Sequence, residues 1–98
     1  MEEAEERLRA ALPRLNRLGY VVRFTVGGAG AWIVDGRPAT AEMVADDDRD
    51  TACTIKISQE NLIKLLDGRL DPMVGYSLGK IKVQGSKGVA LKIVSTLS

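Results

Sequence analysis

Few residues in this chain are equipped for chemistry. The 98 residues contain no histidine and one cysteine, Cys53. Histidine-centred triads, His-ligated metals, Cys₂His₂ fingers and Cys–His nucleophiles cannot be assembled from these residues. A lone cysteine forms no internal disulfide, which fits a reducing cytosol. Asp46, Asp48 and Asp50 resemble the opening of a calcium loop. The sixth position of that loop is Thr51 rather than Gly, and the twelfth is Ile57 rather than Glu, so a solvated turn is expected. Gly27-Gly28-Ala29-Gly30 lacks both the dinucleotide spacing and the Gly-Lys-Ser/Thr ending of a phosphate loop, and reads as a hairpin turn. Cys53 falls on the apolar side of a strand pattern with no cationic neighbour in sequence, and is expected to be buried and inert. Nothing pairs Tyr76 with an acid or a base. No metal, no cofactor and no catalytic residue is assigned.

The length sets the frame for these groups. One domain, residues 1–98, is expected, and folding buries roughly 60–65% of the surface of a chain this size. Apolar residues make up 45% and charged residues 28%, as in soluble globular domains. A net charge of +1 argues against a general nucleic-acid binder. No apolar run approaches the ~20 residues needed to span a bilayer. The first residues are acidic where a secretory signal is basic, and the Ser-Thr-Leu-Ser ending is not a peroxisomal address. A cytoplasmic location is expected. Lys80, Lys82, Lys87 and Lys92 lie in a stretch without an acid. Each would contribute about 1 kcal/mol at an anionic bilayer, which suits transient docking, and a solvated face is the plainer reading.

The elements follow from periodicity. Residues 2–18 read as an amphipathic helix with Ala4, Leu8, Ala11, Leu12, Leu15 and Leu18 at steps of three and four, split at Pro13. Glu3–Arg7 and Glu5–Arg9 are i,i+4 pairs. Strands are predicted over 20–26, 31–35, 39–44 and 51–57. Trp32 shares a face with Val34, and alternation leaves open whether that face meets the helices. Ser58 caps a helix over 59–66, and Asp71-Pro72 opens one reaching Leu78. Residues 80–84 form a last strand. Ser86 caps a final helix with Val89, Ala90, Ile93, Val94 and Leu97 on one stripe.

The second half is densely aliphatic. Helix 58–66 is apolar at four adjacent angular positions, and helix 72–78 combines Met73, Val74, Tyr76 and Leu78 with Gly75. Such walls fit either a filled core or an apolar ligand cavity.

Several segments, in this order and spacing, carry a resemblance. They are Gly30-Ala31-Trp32-Ile33-Val34-Asp35, Asp50-Thr51, Ile57-Ser58, Leu66-Asp67-Gly68-Arg69-Leu70-Asp71-Pro72, Tyr76-Ser77-Leu78-Gly79-Lys80-Ile81-Lys82-Val83-Gln84-Gly85 and Ala90-Leu91-Lys92. From about Tyr20 to Leu97 the chain resembles the sterol carrier protein 2 family of nonspecific lipid-transfer domains, as a bacterial-type stand-alone member. The resemblance implies an α+β fold, a five-stranded mainly antiparallel sheet covered by helices. It further implies an apolar tunnel between sheet and helices for fatty acids, fatty acyl-CoA, sterols or phospholipids. Met73, Val74, Tyr76, Val94 and Leu97 would wall it from the helices, and Phe24, Trp32, Ile55, Ile81 and Val83 from the sheet. Gly75 would either widen the cavity or ease packing. The expected function is non-enzymatic lipid binding and transfer. The alternative is an accessory protein that presents a lipophilic intermediate, such as a quinone precursor, to enzymes.

Overall fold

A computed structural model describes residues 3–98. The elements run α1 (Glu3–Ala11), a 3₁₀ turn (Leu12–Leu15), β1 (Val21–Gly27), β2 (Gly30–Asp35), β3 (Glu42–Ala45), β4 (Cys53–Ser58), α2 (Gln59–Leu66), α3 (Pro72–Ser77), β5 (Ile81–Gly85) and α4 (Lys87–Leu97). The sheet order is β3-β2-β1-β4-β5. The β1–β4 pairing is parallel and the other pairings are antiparallel. The fold is therefore α+β with a five-stranded mixed sheet, mostly antiparallel, and four α-helices.

The first helix is shorter than its apolar period suggests. Residue 2 lies outside the described residues. α1 ends at Ala11 and the chain tightens into a 3₁₀ turn with Pro13 near its start. Proline has no N–H to offer the Arg9 carbonyl, so the α-helical ladder stops there. Residues 16–18 are not helical. Ala4, Leu8, Ala11, Leu12 and Leu15 are nevertheless all buried, and the Arg7–Glu3 and Arg9–Glu5 pairs form at 3.7 and 3.3 Å.

The third strand starts later than alternation predicts, at Glu42 rather than residue 39. The backbone before it has other partners. The Arg17 N–H donates to the Pro38 carbonyl at 3.0 Å, and the Ala41 N–H donates to Asn16 Oδ1 at 2.8 Å. The Gly27–Gly30 segment is the hairpin expected, closed by the Ala29 N–H on the Val26 carbonyl.

Helix starts match their caps. Ser58 accepts from the Asn61 N–H, Asp71 from the Met73 and Val74 N–H groups, and Ser86 from the Val89 N–H. Each satisfies amide groups that a first helical turn leaves unpaired.

Candidate functional site

Register places most of the apolar strand residues in rows across one face, while Val21, Ala31, Ile33 and Val44 fall on the other. The central row runs Ala45, Trp32, Phe24, Ile55 and Val83 on β3, β2, β1, β4 and β5. A second row holds Met43, Val34, Val22 and Cys53, and a third holds Val26, Ile57 and Ile81. The period-two alternation that built the strands thus gives the sheet one continuous apolar face. Trp32 belongs to it, which settles its orientation toward the helices.

The helix layer supplies the opposite wall. Leu8, Leu15, Leu62, Leu65, Ile93 and Leu97 are fully buried and join Phe24, Trp32, Ile55 and Ile81 in one cluster. Among the described residues no polar or charged side chain is buried. An interior of this kind offers desolvation and shape. Its one thiol is Cys53, whose pKa burial pushes up to about 11. At that value little thiolate exists at neutral pH.

The expected site residues divide by place. Phe24, Ile55, Ile81, Val94 and Leu97 are essentially inaccessible, and Trp32 is 8% exposed. Val83 is half-buried against the same cluster, and Tyr76 is half-buried on α3. Met73 and Val74 stand apart on the solvent side of α3, 54% and 50% exposed. The six-residue α3 buries only Gly75. A Cβ on Gly75 would lie 3.0 Å from Ile81 Cδ1 and 3.3 Å from Leu70 Cδ2. Of the two roles open to this glycine, the structure shows close packing. Leu8 of α1 and Leu12 and Leu15 of the 3₁₀ turn join the same cluster, as their apolar period on an inward face predicts.

Two cavities open elsewhere. One, of about 550 Å³, is lined by Arg23, Asp46, Arg49, Thr51, Thr54 and other polar residues. Arg23 fills its donors there, with Nε on Asp46 Oδ1 at 2.9 Å and Nη2 on the Arg49 carbonyl at 2.7 Å. This pairing holds the Asp46 carboxyl below the usual carboxylate range, and Arg49 holds Asp47 down to about 2. The carboxylates at 46 and 47 are therefore spoken for by arginines. The second cavity, of about 520 Å³, is lined by Lys56, Lys80, Lys82, Ile57, Asn61 and neighbours at the end of the sheet. None of Phe24, Trp32, Ile55, Val94 or Leu97 lines either one.

Of the four lysines expected to meet a membrane, two lie together and a third is placed elsewhere. Lys80 and Lys82 line the second cavity together with Lys56. The Lys92 ammonium lies 5.5 Å from the centre of the Tyr20 ring, a cation–π contact at the start of β1. No helix among the described residues is long and apolar enough to cross a membrane.

Comparison with known proteins agrees with this architecture. The profile of the SCP-2 sterol transfer family matches residues 1–98. Sterol carrier protein 2 of Rattus norvegicus is 28% identical over 86 residues, covering 83% of this chain and 16% of that protein. The chain thus spans about a sixth of that relative's length. Non-specific lipid-transfer protein-like 1 of Caenorhabditis elegans is 26% identical over 100 residues, covering 98% of this chain and 85% of that one. Among solved structures, a sterol carrier protein 2 from Aedes aegypti in complex with palmitate superposes with a TM-score of 0.72 at 16% identity, covering 100% of both chains. A ubiquinone synthesis protein, UbiJ-SCP2, superposes with a TM-score of 0.66 at 25% identity, covering 92% of this chain and 73% of the other. A family match over all 98 residues, on a sheet and helix layer that enclose a wholly apolar interior, places the chain in the SCP-2 sterol transfer family.

Proposed function

We propose that this chain binds lipids and transfers them between membranes, without catalysis, in the cytoplasm. The observation that carries the reading is the apolar row Trp32, Phe24, Ile55 and Val83, facing helices through an interior with no buried polar side chain among the described residues. The ligands are fatty acids, fatty acyl-CoA, sterols or phospholipids. Phe24, Trp32, Ile55, Ile81, Val83, Val94 and Leu97 line the path of the acyl chain, with Tyr76 at its rim. These side chains are packed together, so a ligand enters by parting the helix layer from the sheet. α3 is the cheapest piece to displace, because Gly75 is its one buried residue. An acyl chain leaving water for this interior gains about 0.8 kcal/mol per methylene. A bilayer offers nearly the same environment, so exchange between the two is close to balanced and reversible.

Titration with a fluorescent fatty acid, followed by native mass spectrometry of the complex, tests this reading. Saturable binding displaced by natural lipids supports it. Absence of binding to any acyl lipid would overturn it.

A second reading rests on the likeness to the ubiquinone synthesis protein. In it, the same interior presents a lipophilic quinone precursor to enzymes. Copurification with such enzymes would favour it over free transport.

A further inference from the structure

The end of the sheet nearest α3 carries features that the interior does not use. Met73, Val74 and Leu78 are 54%, 50% and 66% exposed. Val74 and Leu78 stand one turn apart, with the Leu78 N–H on the Val74 carbonyl at 2.9 Å. Two bonds then close the helix: the Gly79 N–H on the Tyr76 carbonyl at 3.1 Å and the Lys80 N–H on the Gly75 carbonyl at 2.8 Å. Gly79 sits at φ +76°, where glycine is free of strain. In this type of cap the residue after the glycine is commonly apolar and packs back on the helix. Here it is Lys80, and it is exposed.

Lys80 meets Lys56 and Lys82 around the second cavity, beside Ile57, Gly27 and Gly79. Lys56 and Lys82 are direct cross-strand partners, both exposed on the outer face. Like charges in that position weaken a sheet. No ion pair among the described residues includes Lys56, Lys80 or Lys82. Acids on neighbouring helices are engaged elsewhere: Glu60 pairs with Lys64 at 3.4 Å, and Asp71 accepts from the Met73 and Val74 N–H groups. Three ammonium groups without an ion-pair partner among the described residues therefore ring a concave surface, and the exposed Leu78 leads directly into its rim at Gly79 and Lys80.

The geometry points to this end of the molecule, where Leu78 leads into the rim formed by Lys56, Lys80 and Lys82 and Met73 and Val74 are exposed on the same short helix, as the face that seats on an anionic phospholipid bilayer. A bilayer presents both complements at once: a negative layer outside and an apolar layer beneath. The ammonium groups take head-group phosphates while Leu78 and its neighbours enter the acyl boundary. Lys87 and Lys92 are left out of this face: Lys87 follows Gly85, which pairs with Cys53 at the end of β5 opposite Ile81 and the cavity. Lys92 is held over Tyr20, which precedes the start of β1, whereas the lysine-ringed cavity lies at that strand's end. The inference takes its purpose from the lipid-transfer reading, but docking itself needs no lipid in the interior.

The experiment is flotation of the protein with vesicles of phosphatidylcholine, with and without phosphatidylglycerol. Binding to the mixed vesicles alone is expected, weakening with added salt. The double variant Lys80→Gln/Lys82→Gln should lose roughly fivefold in affinity per lysine. Val74→Gln/Leu78→Gln, both at exposed positions, should lose about tenfold. Lys87→Gln/Lys92→Gln should bind as wild type. Equal binding to both vesicle types, or insensitivity to the first two variants, overturns the proposal. A dimer in sedimentation equilibrium that Leu78→Gln disperses, without vesicle binding, assigns the face to a second copy and also overturns it. Fatty-acid binding measured without vesicles separates the two readings. Flotation without fatty-acid binding supports docking and overturns the carrier reading, and fatty-acid binding without flotation does the reverse.

Discussion

Lys56 on β4 and Lys82 on β5 face each other directly across the outer surface of the sheet. Their repulsion is a local cost in a domain whose total stability is small. Replacing Lys82 with Glu turns the pair into an attraction. Lys82→Glu is expected to raise stability by about 0.2–1 kcal/mol. Raising the salt concentration screens both effects, so the advantage of the variant should shrink. Thermal melts at low and high ionic strength measure this directly.

Gly75 sets the distance between α3 and β5. The space beside it is taken by Ile81 Cδ1 at 3.0 Å and Leu70 Cδ2 at 3.3 Å from where a Cβ would stand. Both neighbours are terminal methyl groups, which can shift by a few tenths of an ångström. Alanine also gains about 1 kcal/mol of helix propensity over glycine. Gly75→Ala should therefore be close to neutral. Gly75→Val adds two methyl groups beyond that Cβ, against the same crowded neighbours, and should cost about 1–3 kcal/mol. Urea unfolding of the two variants separates these outcomes.

Arg7 on α1 donates to Asp67 at the C-terminal end of α2, and Arg69 donates to the same carboxylate. The Arg7 guanidinium, ahead of Arg69, holds the Asp67 carboxyl below the usual carboxylate range. A depressed carboxylate pKa stabilises the fold above the unfolded value near 3.9, and that contribution is lost as pH falls through the folded value. Asp67→Asn should be less stable than wild type at pH 7. The two should converge in acid, once the pH has fallen through the depressed folded value of Asp67. Urea midpoints at pH 7 and in acid test this.

Cys53 is 1% exposed and its thiol pKa is pushed up to about 11. Native protein should react negligibly with Ellman's reagent at neutral pH. Reaction should become rapid in urea, with a midpoint matching global unfolding. Cys53→Ser, which buries a hydroxyl in an apolar row, should cost about 1–3 kcal/mol.

Much of this architecture is legible in the chain because it is locally determined. Ser58, Asp71 and Ser86 mark helix starts through bonds made within three residues. Alternation around Phe24 and Ile55 fixes their strands, since one face is buried. The misplaced features depend on distant partners. Residue 39 does not begin β3, because Pro38 and Ala41 bond to Arg17 and Asn16 instead. The central position of β1, parallel to β4, is set by pairing that alternation does not encode. On α3, a helix of six residues with apolar groups on several sides, the inward face is chosen by Gly75 against Ile81. Met73 and Val74 thereby fall outside. The grouping of Lys56 with Lys80 and Lys82 is not legible in the chain, because those two lie on a turn and a different strand.

Trp32 gives the central claim its most direct measurement. It is the only tryptophan, and it sits in the inner row between Ala45 and Phe24. Bromine quenches indole fluorescence only at close range. Titration with a fatty acid brominated along its chain should quench Trp32 emission saturably, and the unbrominated acid should bind equally well without quenching. Ile55→Trp would not serve as a control, since it adds a second fluorophore; Val94→Phe, which overfills the wall from α4, should weaken both. Saturable fatty-acid binding that leaves Trp32 emission unchanged would place the ligand outside the interior and contradict the account.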